Sequence, residues 1–293
     1  MAKWLLLDGS NLMFRAFYAI PDLTRSDGFP TNALHGWVRT LWKLEDAEQP
    51  DHMLVFFDPK GPGKRASLFP DYKANRSETP EELLEQIPWI KLITEACGIP
   101  LKESDSLEAD DLIASAARDL ANEGHDVRIV SADKDLGQLI SPQVKQLLPP
   151  PTANPRLGWR LLDEAGVRGK YGIEPGKIRD YLALIGDSSD NIPGIHGVGP
   201  KTASRWLQEW ESLEGIIEHA HELKPSRFQS LVAESVEMLR LNYELVGLDC
   251  SESVDLSTPG EAKPEALIKI LESMEMRTAA RDATERYRVG YLF

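Results

Sequence analysis

The chain has 293 residues, 42% of them hydrophobic, with 47 acidic against 33 basic side chains and a formal net charge of −14. That is enough apolar content for one large domain or two closely joined ones, and no apolar run approaches the roughly 20 residues of a membrane-spanning helix. The charge argues against a generally basic nucleic-acid binder, although a site built from carboxylates makes a chain acidic without repelling a polyanion once cations neutralise it.

In chain order, the first apolar run, Trp4–Leu7, stops at Asp8 and is too short for a signal-peptide core. It reads as a buried strand, as do Met53–Phe57 and Val127–Val130, with a weaker candidate at Gln143–Leu148. Helical spacing covers Leu34–Leu44, Glu81–Ala96 (opened by Pro80, followed by Gly98) and Ala109–Leu120. Strands alternating with helices predict an α/β fold with a mostly parallel central sheet covered on both faces. Pro149-Pro150-Pro151 marks a seam. Beyond about residue 160 the pattern is helical: Pro175–Ile185, Lys201–Trp210, Arg227–Leu245 and Pro264–Met274. The expectation is an α/β core over residues 1–160 and a helical region over 161–293. Cys97 and Cys250, far apart and outside any metal-ligand spacing, fit a reduced, cytoplasmic protein without structural disulfides or a zinc site.

In an open parallel sheet, ligands sit beyond the carboxyl ends of the strands. Asp8 ends the first strand, Asp58 follows the second, and Asp133 and Asp135 follow the third. Glu108, Asp110 and Asp111 open a helix, where residues three apart share a face. Singly, an acid after a strand is a turn or helix cap, and an acid in a first helical turn offsets the dipole. Together they collect at one edge of one sheet, where they would repel one another unless divalent cations sat among them. Oxygen ligands favour magnesium or manganese over zinc. In the second half, Asp187 and Asp190 stand in the turn-rich stretch Gly186–Gly194; as ligands they would close the helical region over the same cations.

Gly197-Val198-Gly199-Pro200-Lys201-Thr202 opens another helix. Its glycines let backbone N–H groups approach an anion at a helix N-terminus, where Pro200 and Lys201 also fit; the bland alternative is a linker between helices. Gly194 to Thr202 mimics a nucleotide-binding P-loop but fails, because Pro200 separates Gly199 from Lys201 and a helix, not a strand, precedes it. A helix–hairpin–helix over about 178–210 that grips duplex DNA by its backbone fits better. Residues 60–76 hold Lys60, Lys64, Arg65, Lys73 and Arg76 against one acid, Asp71, a segment that alone reads as a solvated loop.

Seven motifs now stand in order: Leu7-Asp8-Gly9, Val55–Asp58, Tyr72-Lys73-Ala74-Asn75-Arg76, Glu108–Asp111, Ala132–Asp135, Gly186–Gly194 and Gly197–Ala203. Along nearly its whole length the chain resembles the 5′-nuclease domain of bacterial DNA polymerase I, within the flap endonuclease family. The resemblance implies a PIN/5′-nuclease-like core with a helical arch over about 60–97 and a C-terminal helix–three-turn–helix. It implies a metal-dependent 5′-3′ exonuclease or 5′-flap endonuclease that cuts DNA near a free 5′ end, at a flap or nick, with two Mg2+ or Mn2+ ions. It assigns Asp8, Asp58, Glu108, Asp110 and Asp111 to a first group of metal ligands, and Asp133, Asp135, Asp187 and Asp190 to a second. Lys73 and Arg76 match arch cations that act beside Asp8 and Asp58, Tyr72 is a candidate to stack on a displaced base, and Arg65 belongs to the same DNA-contacting segment. Gly197, Gly199, Lys201 and Thr202 match the hairpin that binds duplex DNA with help from potassium. A separate DNA polymerase is an implied partner. Lys64 stands where an aromatic is commoner, Lys60–Gly63 is unusually glycine-rich, and neither Pro149–Pro151 nor Trp159 falls in a recognised motif. The rival readings are a non-catalytic DNA-junction binder, against which the complete acid set speaks, and a related ribonuclease, which usually lacks the helical extension.

Overall fold

The computed structural model describes residues 1–20, 23–59, 61, 63–256 and 260–287; Lys60 and Pro62 of the basic segment lie outside them. The α/β half runs β1 (Lys3–Asp8), α1 (Gly9–Ala19), α2 (Asn32–Glu48), β2 (His52–Phe56), α3 (Lys64–Leu68), α4 (Glu81–Ala96), β3 (Leu101–Lys102), α5 (Ala109–Asn122), β4 (Asp126–Val130), β5 (Val144–Leu148) and β6 (Arg160–Leu162). The sheet order is β3-β2-β1-β4-β5-β6. Every pair is parallel except β5 with β6, an antiparallel edge strand that returns after the triple proline.

Trp4–Leu7 is apolar without alternation because both faces of β1 are covered. Leu5 and Leu7 pack with Val55 against α1, α2 and α4, while Trp4 and Leu6 pack with Leu54, Phe56 and α5 on the other side. The chain leaves β1 for β2 and β3 on one flank and returns to β4 on the other. The carboxyl end of β1 is therefore the point where strand order reverses, the usual position of a ligand crevice.

Two layers, α2 and α4, are pinned together by buried polar bonds. The Thr31 side chain caps nothing at the start of α2; instead Gln86 Oε1 on α4 accepts from the Ala33 and Leu34 N–H groups at 2.9 and 3.2 Å. Two turns into α2, the fully buried Trp37 donates from Nε1 to Thr94 Oγ1 at 2.8 Å.

The second half comprises α6 (Glu164–Tyr171), α7 (Ile178–Ile185), the paired short strands β7 (Gly186–Asp187) and β8 (Ile192–Pro193), α8 (Pro200–Trp210), α9 (Leu213–Glu218), α10 (Gln229–Glu234), α11 (Val236–Leu245), α12 (Pro264–Ser273) and α13 (Arg277–Tyr287). A core built around Leu182, Trp206 and Phe228 joins α7 to α11. The single helix expected over Arg227–Leu245 is instead two. Ser235 bonds Val232 O in a tight turn and leaves helical geometry at φ −103, ψ 12. The last two helices, α12 and α13, pack on the α/β half. Leu267, Leu271, Met274 and Ala283 join Leu41, Ile90 and Ile93 in one cluster, and Lys263 N–H bonds Ala96 O at 2.8 Å. Among the described residues no helix is long and apolar enough to cross a membrane.

Candidate metal centre and nucleic-acid cleft

Each acid is placed by a local rule. Asp8 closes β1 and caps α1, its Oδ1 accepting from Asn11 N–H at 2.9 Å. Its Oδ2 accepts from Ser131 Oγ at 2.7 Å, and the same hydroxyl accepts from Asp133 N–H at 3.0 Å, so one serine just past β4 sets two acids. Asp58, one residue beyond Phe57, reaches the start of α5, where its Oδ1 accepts from Ala109 N–H at 2.9 Å. Asp187 ends β7 and Asp190 stands in the loop that joins it to β8. Gly186 makes that loop possible: its φ is +72, and a Cβ there would lie 2.3 Å from Gly194 N.

The acids converge. Asp135, Asp187 and Asp190 are all buried and offer oxygens within 4.8 Å of one another. Asp8, Asp58, Glu108, Asp110 and Asp133 line an adjoining cleft of 770 Å³, with Lys73 and Arg76 on its rim. Burial pushes the Asp8 carboxyl up to about 7, and the charges of Asp58 and Asp133 add to this against the hydrogen bonds from Asn11 and Ser131. Burial raises Asp110, Asp133 and Asp135 as well; neighbouring acids reinforce it, while Arg65 opposes it at Asp110. Asp187 goes the other way: burial would raise it, but Ser189 and the Lys134 ammonium at 3.1 Å hold it below the usual range. Asp135 Oδ1 is buried without a hydrogen-bond partner among the described residues. A carboxylate oxygen left bare beside two further carboxylates matches the donor set of a hard divalent cation, so the residues present fit such an ion.

Three of the expected site residues are engaged inside the protein. Asp111, assigned to the metal group, is 3% exposed and already engaged. Arg65 grips both its oxygens at 2.9 and 2.7 Å, and Asp249 N–H adds a third bond at 2.8 Å. Arg65, expected to contact DNA, is itself buried: it also donates to Glu108 at 3.1 Å and to the Leu245 and Gly247 carbonyls, both at 2.8 Å. Burial alone would lower its guanidinium, but Asp110, Asp111 and Glu108 more than offset this. Tyr72, expected to stack on a base, is 9% exposed, with its hydroxyl 3.1 Å from both Glu108 and Asp190. In each case opposite charge or a polar tip lay across the fold, and satisfying it required turning the side chain inward.

Lys73 and Arg76 do reach the acids. Lys73 Nζ donates to Glu108 at 2.8 Å and Arg76 to Asp190 at 2.5 Å. Lys73 holds φ +59 while its N–H bonds Asp190 O at 2.9 Å, and Asn75 and Asn191 add cross-links at 2.6 and 2.8 Å. The turn at residues 71–76 is thereby laced to the loop that carries Asp187 and Asp190. The hairpin residues stand apart from this cluster: Gly197 has φ +78 in the turn before α8, Gly199 precedes its first turn, and Lys201 is exposed on it. Ser131 and Lys134 escaped the sequence reading. Lys134, flanked by Asp133 and Asp135, carried a signal in its position; Ser131 is revealed only by its closeness to Asp8.

Carboxylates gathered at a sheet's switch point, with cations at the rim, make a site that fits a divalent cation and suits phosphate chemistry. Residues 3–172 match the family model described as 5′-3′ exonuclease, N-terminal resolvase-like domain, and residues 173–266 match 5′-3′ exonuclease, C-terminal SAM fold. The chain belongs to the 5′-3′ exonuclease family, whose members are nucleic-acid phosphodiester hydrolases. It is 38% identical over 287 residues to a 5′-3′ exonuclease of Aquifex aeolicus (strain VF5), covering 97% of this chain and 96% of that one. It is also 38% identical over 273 residues to the thermostable DNA polymerase I of Thermus aquaticus, covering 92% of this chain but 32% of the polymerase. The fold matches a bacteriophage T5 flap endonuclease solved with DNA and metal ions, at TM-score 0.69 and 22% identity over 97% of this chain and 98% of that one. The catalytic core of Rad2 in complex with DNA substrate matches at TM-score 0.64 and 14% identity, over 96% and 91%.

Proposed function

We propose that the chain hydrolyses DNA phosphodiester bonds near a free 5′ end, as a 5′-3′ exonuclease and 5′-flap endonuclease using two divalent ions, Mg2+ or Mn2+. The observation that carries this reading is the trio Asp135, Asp187 and Asp190, whose oxygens lie within 4.8 Å of one another beside the acid-lined cleft. That trio with Asp133 would hold one ion, and Asp8, Asp58, Glu108 and Asp110 the other. Bound there, the ions would neutralise the scissile phosphate and lower the pKa of an attacking water. The chain's own groups hold the ligands still: Asn11 N–H and Ser131 fix both oxygens of Asp8, and Ala109 N–H fixes Asp58. Lys73 and Arg76 present positive charge on the cleft wall where the phosphate gains negative charge.

In this reading residues 1–160 form the nuclease core, with an arch over about 60–97, and 161–293 the helical region. The hairpin at about 178–210 would hold the duplex through Gly197, Gly199, Lys201 and Thr202, with K+ at the turn. A Cβ at Gly199 meets no atom of the described residues within 4 Å and the residue has an ordinary φ of −105, so beyond a modest N-cap preference no contact among the described residues demands glycine there. An external phosphate supplies the reason. The setting is the cytoplasm, and the partner called for is a DNA polymerase. A 3′-labelled duplex with a single-stranded 5′ flap tests the activity: it is cut near the junction with Mg2+ and left whole in EDTA. No cutting with either Mg2+ or Mn2+ overturns the reading.

A further inference from the structure

The cleft does not end at the acids. Past Asp8 it continues between α1, α2 and the loop joining β5 to β6. One wall of this arm is the Pro149-Pro150-Pro151 run with Thr152 and Trp159, the stretch that matched no motif. The wall is tied down, because Arg15 on α1 donates to Pro150 O and Trp159 packs on the hydrophobic core. The facing wall carries Arg39 and Lys43, four residues apart on an exposed face of α2, and Tyr18, 68% exposed near the end of α1. Among the described residues neither the Arg39 nor the Lys43 side chain has an ion-pair or hydrogen-bond partner, in a chain with 47 acids to 33 bases. Residues at i and i+4 project side by side, so the two cations form a short rail. Acids at one end of a cleft and unpaired cations at the other make a path for a phosphate chain.

We propose that this arm receives single-stranded nucleotides continuous with the strand that is cut, phosphates lying along Arg39 and Lys43 and bases against Tyr18 and Trp159. The whole cleft, acids and arm together, is 770 Å³, the size that takes a drug-sized molecule, so the arm admits a single strand and not a duplex. Cations interleaved with aromatic faces hold unpaired bases without reading their sequence. The arm rests on the nucleic-acid reading above but not on where the chain cuts, so binding in EDTA tests it.

Fluorescence anisotropy compares a duplex bearing an oligothymidylate 5′ flap with the same duplex nicked and without a flap. The variants are Arg39→Ala/Lys43→Ala and, separately, Tyr18→Ala, all at exposed positions. Each binds the flapped duplex about tenfold more weakly than the unmodified chain does, and the nicked duplex equally well. The double variant also flattens the slope of log affinity against log salt by about 1.4, the share of two phosphates on a single strand. Equal losses on both DNAs, or losses on neither, overturn the arm and leave the broader reading standing. An unmodified chain that binds neither DNA sinks the broader reading, and the arm with it.

Discussion

Arg65→Met removes a guanidinium whose donors are all engaged inside the protein. It takes away three bonds to Asp111 and Glu108 and two to the carbonyls of Leu245 and Gly247. Asp111, 3% exposed, is left with the Asp249 N–H as its remaining donor, while Glu108 keeps Tyr72 and Lys73. Stripping one partner from a buried ion pair costs about 3–5 kcal/mol, because the other charge stays buried and uncompensated. Against a total stability of about 5–15 kcal/mol, that is a severe loss. Urea denaturation followed by circular dichroism measures it. Replacing both partners, Arg65→Met with Asp111→Leu, removes the stranded charge and recovers most of the loss, since an apolar pair of similar volume is often neutral. Arg65→Lys falls between, because an ammonium cannot span both oxygens of Asp111 and two carbonyls at once. A single variant within about 1 kcal/mol of the parent refutes the clamp. So does a fully stable variant that loses DNA affinity, which would return Arg65 to the surface role read from sequence.

Asp8→Asn and Asp58→Asn abolish cutting of a labelled flap substrate while leaving DNA binding within a few-fold; near-normal cutting by both removes the carboxylate mechanism. Asp8→Asn also changes stability in EDTA. The Asp8 carboxyl is held at about 7 rather than 3.8, so the folded chain binds that proton more tightly than the unfolded one and loses stability as pH rises between those values. The variant lacks this cost, about 4 kcal/mol at most; it melts several degrees higher than the parent at pH 8 and no higher at pH 4, and a pH-independent difference would sink the reasoning. Lys73→Ala and Arg76→Ala slow single-turnover cleavage at least tenfold more than they weaken duplex binding, whereas equal losses would make them plain backbone contacts. Gly199→Val melts within a few degrees of the parent, because a Cβ there meets no described atom within 4 Å and the change forfeits only an N-cap preference of about 1 kcal/mol, yet it binds nicked duplex more weakly; Lys201→Ala reduces the salt slope by about one.

The strands read most plainly from sequence are β1 and β2, whose covered faces show as unbroken apolar runs, while β4 and β5, interrupted by Arg128 and by Lys145 and Gln146, carry a weaker pattern. The edge strands β3 and β6, two and three residues long, are too short to carry a pattern. The acids were legible for a topological reason: a residue that ends a parallel strand must face the crevice, wherever its neighbours come from. The partners of those acids were not. Arg65 meets Leu245 and Gly247 across about 180 residues of chain, and no local spacing reports that approach. The burial of Tyr72 and Arg65 was hidden for the same reason, since an aromatic or a cation in a basic loop looks exposed until an acid is found opposite.

The packing of α12 and α13 on the first half has a consequence in time. The cluster that holds Leu5, Leu41 and Ile90 is completed by Leu267, Leu271 and Ala283. During synthesis from the N-terminus, the flank of α2 and α4 must wait, apolar and uncovered, while some 170 further residues emerge before its cover arrives. Arg286, bonded to Glu45 and Asp46, fastens that cover almost at the last described turn. The nascent half therefore cannot complete its packing alone, and the last two helices to emerge are the ones that finish the first core.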